Sequence, residues 1–172
     1  MSAEFPEDSP ECFDILLGWI YDGYLRPLTW SNDRKIELSW KVEDFYAFAE
    51  KICLPELMDA TMDAQIAFSK QSETLPSLSR ARKSYGKTSP SSAYRKFLAH
   101  VCAYRLMEPA HDGRVDIEDL SALMLEIPAL QLDILQIIRD SDGKIKSPSR
   151  MPLCDFHTHD KDLPCPRRKG RK

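Results

Sequence analysis

The reading of residues 9–57 decides the fold: SPECFDILLGWIYDGYLRPL over 9–28, a polar interval, then SWKVEDFYAFAEKICLPEL over 39–57. The first run predicts an amphipathic helix. Ser9 is a good N-cap, Pro10 suits the first helical position, and Glu11 complements the positive end of the helix dipole. Phe13, Leu16, Leu17, Ile20, Tyr21 and Tyr24 recur at helical spacing and define its expected buried face. Asp22-Gly23 is a stop signal. Arg26 and Pro27 open a connection in which residues 35–38 alternate in polarity, as a short strand would. Ser39 is the expected cap of a second helix, with Val42, Phe45, Tyr46, Ala49 and Ile52 as its buried stripe. Leu54-Pro55 ends it, and Pro55 can start a third helix at once, giving a tight corner.

Working outward, the third helix continues through Leu57, Met58, Thr61, Met62, Gln65 and Ile66 to about Phe68. Met58 and Met62 read as core filler. Residues 71–93 are rich in Ser, Lys, Arg and Pro and read as a linker carrying one short helix after Pro76. Its basic residues Arg80, Arg82, Lys83 and Lys87 read most simply as a solvated face. A helix over 90–106 follows, with Ser89 as candidate cap and Tyr94, Phe97, Leu98, Val101 and Cys102 as its stripe. Asp116 caps 117–127, and Pro128 starts 128–139, a helix carrying Leu130, Ile134, Leu135, Ile137 and Ile138. That last helix is apolar enough to be deeply packed or to seek a partner. The expected fold class is mainly α, with little or no sheet.

The chain has 172 residues, long enough for a real core, with the apolar and charged fractions of a globular protein. It has no run of about 18 apolar residues, so no membrane span is expected. The acidic opening MSAEFPEDSPE lacks the apolar stretch of a secretory signal, and residues 1–8 are expected to be disordered. The expected location is cytoplasmic or nuclear. Net charge is −3. The closing RRKGRK carries five positive charges, and removing them from 24 basic residues leaves 19 against 27 acidic ones. An acidic body with a short basic tail argues against nucleic-acid binding. The tail reads as a solvated terminus, with a nuclear localisation signal or a phosphate contact as alternatives.

Chemistry-bearing motifs are few. The Asp-Gly pairs at 112–113 and 142–143 invite a calcium-loop reading, each with a β-branched residue two places on, Val115 and Ile145. The ligand positions fail: Glu108, Ala110 and Asp119 would serve the first loop, Ile138 and Ser149 the second, without the closing Glu. They read as ordinary turns. Only six glycines are present, and no phosphate loop, dinucleotide fingerprint or nucleophile elbow occurs. His100 lies off its helix stripe and His111 in a turn, neither beside a nucleophile. Catalysis is not expected, nor is a small-molecule substrate.

The exception is CDFHTHDKDLPC. Cys154, His157, His159 and Cys165 give C-x2-H-x-H-x5-C, four ligand-capable side chains within a compact segment. Tetrahedral zinc accepts this mixture of thiolate and imidazole, although the spacing is not that of the common two-Cys, two-His finger. Four ligands would close the coordination sphere and make the site structural. An extended backbone puts His157 and His159 on one side, Cys154 must curl back by a turn, and Asp160 or Asp162 could orient an imidazole. The alternative is an irregular segment with free thiols. The five cysteines are an odd number, and Cys12, Cys53 and Cys102 fall in predicted helices as small hydrophobes, so no disulfide framework is expected.

The phrase F-x-x-L-L-x-W-I-Y-D-G-x-L, followed by D-F-Y-A-F-A-E-K-I-C-L-P-E-L, resembles the second half of a BTB/POZ domain. Phe13, Leu16, Leu17, Trp19, Ile20, Tyr21, Gly23 and Leu25 match its first helix and turn. Phe45, Tyr46, Ala49, Glu50, Lys51, Leu54, Pro55 and Leu57 match its second. Thr88, Ser91 or Ser92, and Arg95 stand near a pattern of the fungal branch, where a Cys/His-rich ending is also familiar. The resemblance covers 9–70, leaving a C-terminal helical region over 94–146 and the Cys/His segment with basic tail over 147–172. The strands and first helix of that family would precede Ser9, so the chain is expected to be a truncated member. The resemblance implies a protein–protein interaction adaptor, since such proteins dimerise, recruit transcriptional regulators or serve ubiquitin ligases. Without its usual packing partners, the opening helix is expected to expose apolar surface around Phe13, Leu17 and Trp19 and to favour self-association or a protein partner. The alternative function is a small zinc-binding regulatory protein built on the Cys/His segment.

Overall fold

The computed structural model describes residues 9–31, 37–108, 116–160 and 164–165. The expectations for residues 1–8, for the first half of the strand over 35–38, for Asp112-Gly113, His111 and Asp162, and for the basic tail lie outside them. The described residues form seven α-helices: α1 (Pro10–Asp22), α2 (Val42–Lys51), α3 (Pro55–Ser72), α4 (Leu78–Lys87), α5 (Ala93–Met107), α6 (Ile117–Glu126) and α7 (Pro128–Asp140). Two 3-10 turns, Pro148–Arg150 and Leu153–Phe156, follow. They contain no strand, and the only pairing between extended segments among them is a single antiparallel bridge of Trp30 with Leu38. The mainly helical class read from the sequence is the observed one.

α2 lies at the centre, against α1, α3 and α4. Val42, Phe45, Tyr46, Phe48 and Ala49 are all fully buried. Each large apolar side chain so buried contributes about 1.5–3 kcal/mol, which makes this short helix a principal anchor of the core. The expected stripe is present and widened by Phe48, which meets Phe13 of α1 edge to face at 4.9 Å. The corner also forms as read. Cys53 takes a left-handed φ of 54°, Leu54 is the N-cap, and Pro55 opens α3.

Three local readings are corrected. Ser39 does not cap α2, whose N-cap is Lys41 without a side-chain bond. The Ser39 hydroxyl instead accepts from Thr29 N and donates to Pro27 O, tying the connection together. Ser92, not Ser89, caps α5, accepting from Arg95 N. Ser89 donates its N–H and its hydroxyl to Glu50 at the end of α2, both at 2.8 Å. Finally, α1 turns a different side inward. Cys12 and Ile15 are buried with Leu16 and Trp19 packed behind them, while Leu17, Ile20, Tyr21 and Tyr24 are exposed. α1 is apolar almost all round, so periodicity alone could not choose the face.

Residues 71–93 hold α4, which packs on α2, α5 and α6 and buries Ala81, Ser84 and Tyr85. Its basic residues reach across to acids on neighbouring helices. Arg80 and Lys83 pair with Glu43, Lys87 with Asp44, and Arg82 with Glu126. At its C-terminus Arg95 donates to the carbonyls of Tyr85 and Thr88 and to the Thr88 hydroxyl, closing the α4–α5 junction. α6 and α7 meet at 119° across Ile127, and no single helix among the described residues is long and apolar enough to cross a membrane. At the end of α7, Asp142 and Gly143 take left-handed φ of 49° and 74°, and Gly143 N–H returns to Ile138 O. That is an ordinary helix-ending turn.

The 3-10 turns pack against both α3 and α5. Phe156 is fully buried there, edge-on to Phe97 at 5.2 Å and to His100 at 5.8 Å. Lys96 donates to Asp155 O at 2.9 Å. The C-terminal segment is thus seated on the core by burial as well as by polar contacts.

Candidate metal centre

α3 presents two carboxylates one turn apart, Asp59 and Asp63, toward the C-terminal segment. The i, i+4 spacing puts them on one face. Asp59 is buried, and its Oδ1 accepts from Thr158 N at 2.7 Å and from the Thr158 hydroxyl at 2.9 Å. These two hydrogen bonds fix the residue between the two histidines. His157 is extended, with φ −94° and ψ 162°, so His157 and His159 fall on one side of the chain, as the sequence reading required. Cys154 sits in the 3-10 turn just before, where His157 N–H returns to Cys154 O. Cys165, also buried, comes back over the pair.

The structure brings all four candidate residues together. One donor atom from each of Cys154, His157, His159 and Cys165 lies within 4.8 Å of every other. His157 Nδ1 is 3.3 Å from His159 Nε2, and Cys165 Sγ is 3.6 Å from His157 Nδ1. With metal–nitrogen bonds near 2.05 Å and metal–sulfur bonds near 2.3 Å, a tetrahedral ion separates two nitrogens by about 3.3 Å and a nitrogen from a sulfur by about 3.6 Å. The group therefore has the size needed to hold one metal ion.

The outer partners settle which nitrogens face inward. His157 Nε2 lies 2.9 Å from Asp63 Oδ1, and His159 Nδ1 lies 2.8 Å from the Asp160 carbonyl. Both partners are acceptors, so each ring carries its N–H on the outside. In their neutral forms the rings turn two lone pairs toward each other across 3.3 Å, an arrangement that a cation between them would satisfy. Asp63 and the Asp160 carbonyl occupy the positions that orient metal-bound histidines elsewhere. Burial works to lower the His157 pKa, but its bond to Asp63 and the nearby charges of Asp59 and Asp63 outweigh it and hold the imidazole above its ordinary value. The Asp160 carbonyl raises His159 against a slight desolvation.

The sequence identified the four donors and not their supports. Asp59, Asp63 and Thr158 carry no motif, and Asp63 is 94 positions from His157. The one available signal was an i, i+4 acid pair interrupting a helix face that is otherwise core. Asp160, one of the two residues expected to orient an imidazole, meets His159 Nδ1 through its backbone carbonyl. His100 stands apart, half-buried against Phe156, its Nδ1 without a hydrogen-bond partner among the described residues. Comparison with family models, with curated proteins and with solved structures found no match to this chain.

Proposed function

We propose that this chain is a non-catalytic protein–protein interaction module whose C-terminal segment is locked onto its helical core by one structural zinc ion. The observation that carries the reading is the convergence of two imidazole nitrogens and two cysteine sulfurs within 4.8 Å of one another, each histidine fixed from behind by an acceptor. Cys154, His157, His159 and Cys165 are the ligands. Two sulfurs and two imidazoles favour zinc over hard cations, which take oxygen donors. Four protein ligands leave no open position for a water or substrate, so the ion serves structure. Because Asp59 and Asp63 belong to α3, the ion ties the C-terminal segment to that helix, and its binding energy becomes folding energy.

The interaction role rests on exposed apolar side chains. Leu17, Ile20 and Tyr21 on α1, Tyr24 just beyond its end, and Leu125, Leu132 and Leu135 on α6 and α7, face solvent. Such patches mark contact surfaces. They favour contact with a second copy or a protein partner, and the resemblance of residues 9–70 to part of a BTB/POZ domain is the ground for proposing an adaptor of that type, acting in cytoplasm or nucleus. The test is metal analysis of protein purified without chelator. One equivalent of zinc is expected in the parent, and loss of it in Cys154→Ser and Cys165→Ser. Less than about a tenth of an equivalent in the parent would overturn the metal reading.

A further inference from the structure

The two sulfurs of the metal centre are neighbours of each other as well as of the histidines. Cys154 Sγ and Cys165 Sγ lie within 4.8 Å of one another, and neither is in a disulfide. Around one tetrahedral ion they would stand about 3.8 Å apart. Even from 4.8 Å, closing to a disulfide bond of about 2.05 Å asks each sulfur to move by no more than about 1.4 Å. The other cysteines are placed differently. Cys12 and Cys102 are buried in α1 and α5, and Cys53 is exposed at the corner between α2 and α3, outside the donor group.

The segment that carries the two sulfurs is held by contacts that need no metal. Phe156, two residues after Cys154, is fully buried against Phe97 and His100. Lys96 donates to the Asp155 carbonyl, and Asp59 accepts two hydrogen bonds from Thr158. Loss of the ion therefore leaves Cys154 seated beside α3 and α5. Cys165 stays joined to it through a short loop, which keeps the two thiols at an effective concentration on the order of millimolar. The sulfurs also differ in access. Cys154 is half-buried, whereas Cys165 is only 8% exposed. An oxidant arriving from solvent meets Cys154 first, with Cys165 as the second thiol within reach. An accessible thiolate with a resolving cysteine beside it is the arrangement of a reversible oxidation site.

We propose that Cys154 and Cys165 form an oxidation site at which a peroxide replaces the zinc by a disulfide. The inference rests on the zinc reading above and adds that oxidation empties the site. The Cys154 thiolate attacks one peroxide oxygen, the O–O bond breaks, and a sulfenic acid forms on Cys154 as hydroxide leaves. The Cys165 thiolate then attacks the Cys154 sulfur. The S–S bond forms, the S–O bond breaks, and a second hydroxide leaves. Two electrons pass from the sulfur pair to the peroxide, and the charge of the departing Zn2+ balances the two hydroxides. His157 and His159 alone are too few to close a tetrahedral site. Residues 154 and 165 remain tied, now covalently, and Phe156 keeps its place. The segment exchanges one closure for another, and the released ion is the output.

The test uses the full chain, after metal analysis has shown about one equivalent of zinc. Hydrogen peroxide is added at about 1 mM, and zinc passing an ultrafiltration membrane is measured before and after. Release of about one equivalent is expected. Mass spectrometry should find the peptides bearing Cys154 and Cys165 joined, about 2 mass units lighter than the two thiol peptides together. Dithiothreitol should break the cross-link and let zinc rebind, and Cys53→Ser should respond as the parent does. Retained zinc, with Cys154 and Cys165 still thiols when Cys53 in the same sample is already oxidised, would overturn the proposal and leave the zinc reading standing. Release in which Cys154 is joined to Cys53, or is driven to sulfinic acid without a cross-link, would overturn it as well. A parent without zinc at the outset would overturn both readings.

Discussion

Asp63 on α3 holds His157 Nε2 at 2.9 Å, and through that bond a helix from the first half of the chain sets the ring that faces Cys165. Removing an outer-shell carboxylate of this kind weakens metal binding about 10–100-fold. Asp63→Ala should therefore retain the four donors yet release zinc to a competing chelator at that much lower concentration. Asp160→Ala should not, because Asp160 serves through its backbone carbonyl. Equal zinc affinity in Asp63→Ala and parent would show that the carboxylate does not support the site.

Thiol reactivity should sort the five cysteines into three groups. Cys53 is exposed, while Cys12 and Cys102 are buried in the core. Burial pushes the Cys102 thiol up to about 11, so it holds little reactive thiolate at neutral pH. Native zinc-loaded protein should label at Cys53 alone. Chelator should expose Cys154 and Cys165, and only denaturant should expose the remaining two. Mass spectrometry of peptides alkylated in the three conditions checks this. Labelling of Cys154 and Cys165 at the same rate with and without chelator would count against metal ligation by these sulfurs.

The outward stripe of α1 should be where copies of the chain meet. Tyr21 is 83% exposed and Leu17 52%, and neither supports the fold through burial. A paired Leu17→Glu and Tyr21→Glu change should abolish concentration-dependent sedimentation and binding of a hydrophobic dye. As surface changes, each should shift folding stability by no more than about 0.5 kcal/mol. A parent that sediments as a dilution-insensitive monomer and binds no dye would remove the case for this surface.

Much of the fold was legible because the punctuation was strong. Ser9-Pro10, Leu54-Pro55, Asp116 and Pro128 each mark a helix boundary by capping or by the geometry of proline, and all four do so in the structure. What the sequence left open depends on partners distant along the chain. The inward face of α1 is chosen by Phe48 and its neighbours. The fate of the α4 cations is chosen by Glu43, Asp44 and Glu126 on other helices. At the metal centre the donors are local and could be read, whereas Asp59 and Asp63 act from α3. The segment after Ser147 carries little apolar sequence, yet Phe156 alone packs edge-on against both Phe97 and His100.

The α4 ion pairs should differ sharply in weight. The Glu43 side chain is 6% exposed and that of Arg80 13%, whereas Arg82 and Glu126 are about half exposed. Glu43→Ala strands a nearly buried guanidinium and should cost about 3–5 kcal/mol. Glu126→Ala removes a solvent-screened pair and should cost no more than about 1 kcal/mol. Urea denaturation of the two variants tests the ranking, and comparable losses would refute it.

His100 should make the fold sensitive to mild acid independently of the metal. Burial, with the nearby positive charge of Lys96, lowers its pKa against the opposing pull of Asp155. Its Nδ1 has no hydrogen-bond partner among the described residues to accommodate a second proton. In the unfolded chain the ring titrates near its ordinary value of about 6.5. Between that value and the lower native one, the unfolded state binds more protons, so stability rises with pH through the window and falls as pH drops below about 6.5. His100→Phe keeps an aromatic edge against Phe156 and cannot titrate. Relative to the parent, it should gain stability as pH falls from about 7 to about 5, by at most about 1.4 kcal/mol per pH unit for a single proton. Urea denaturation at saturating zinc, with parent and variant compared at each pH, isolates this contribution. A difference between them that stays constant across the window would show that His100 takes up its proton in the folded state as readily as in the unfolded one.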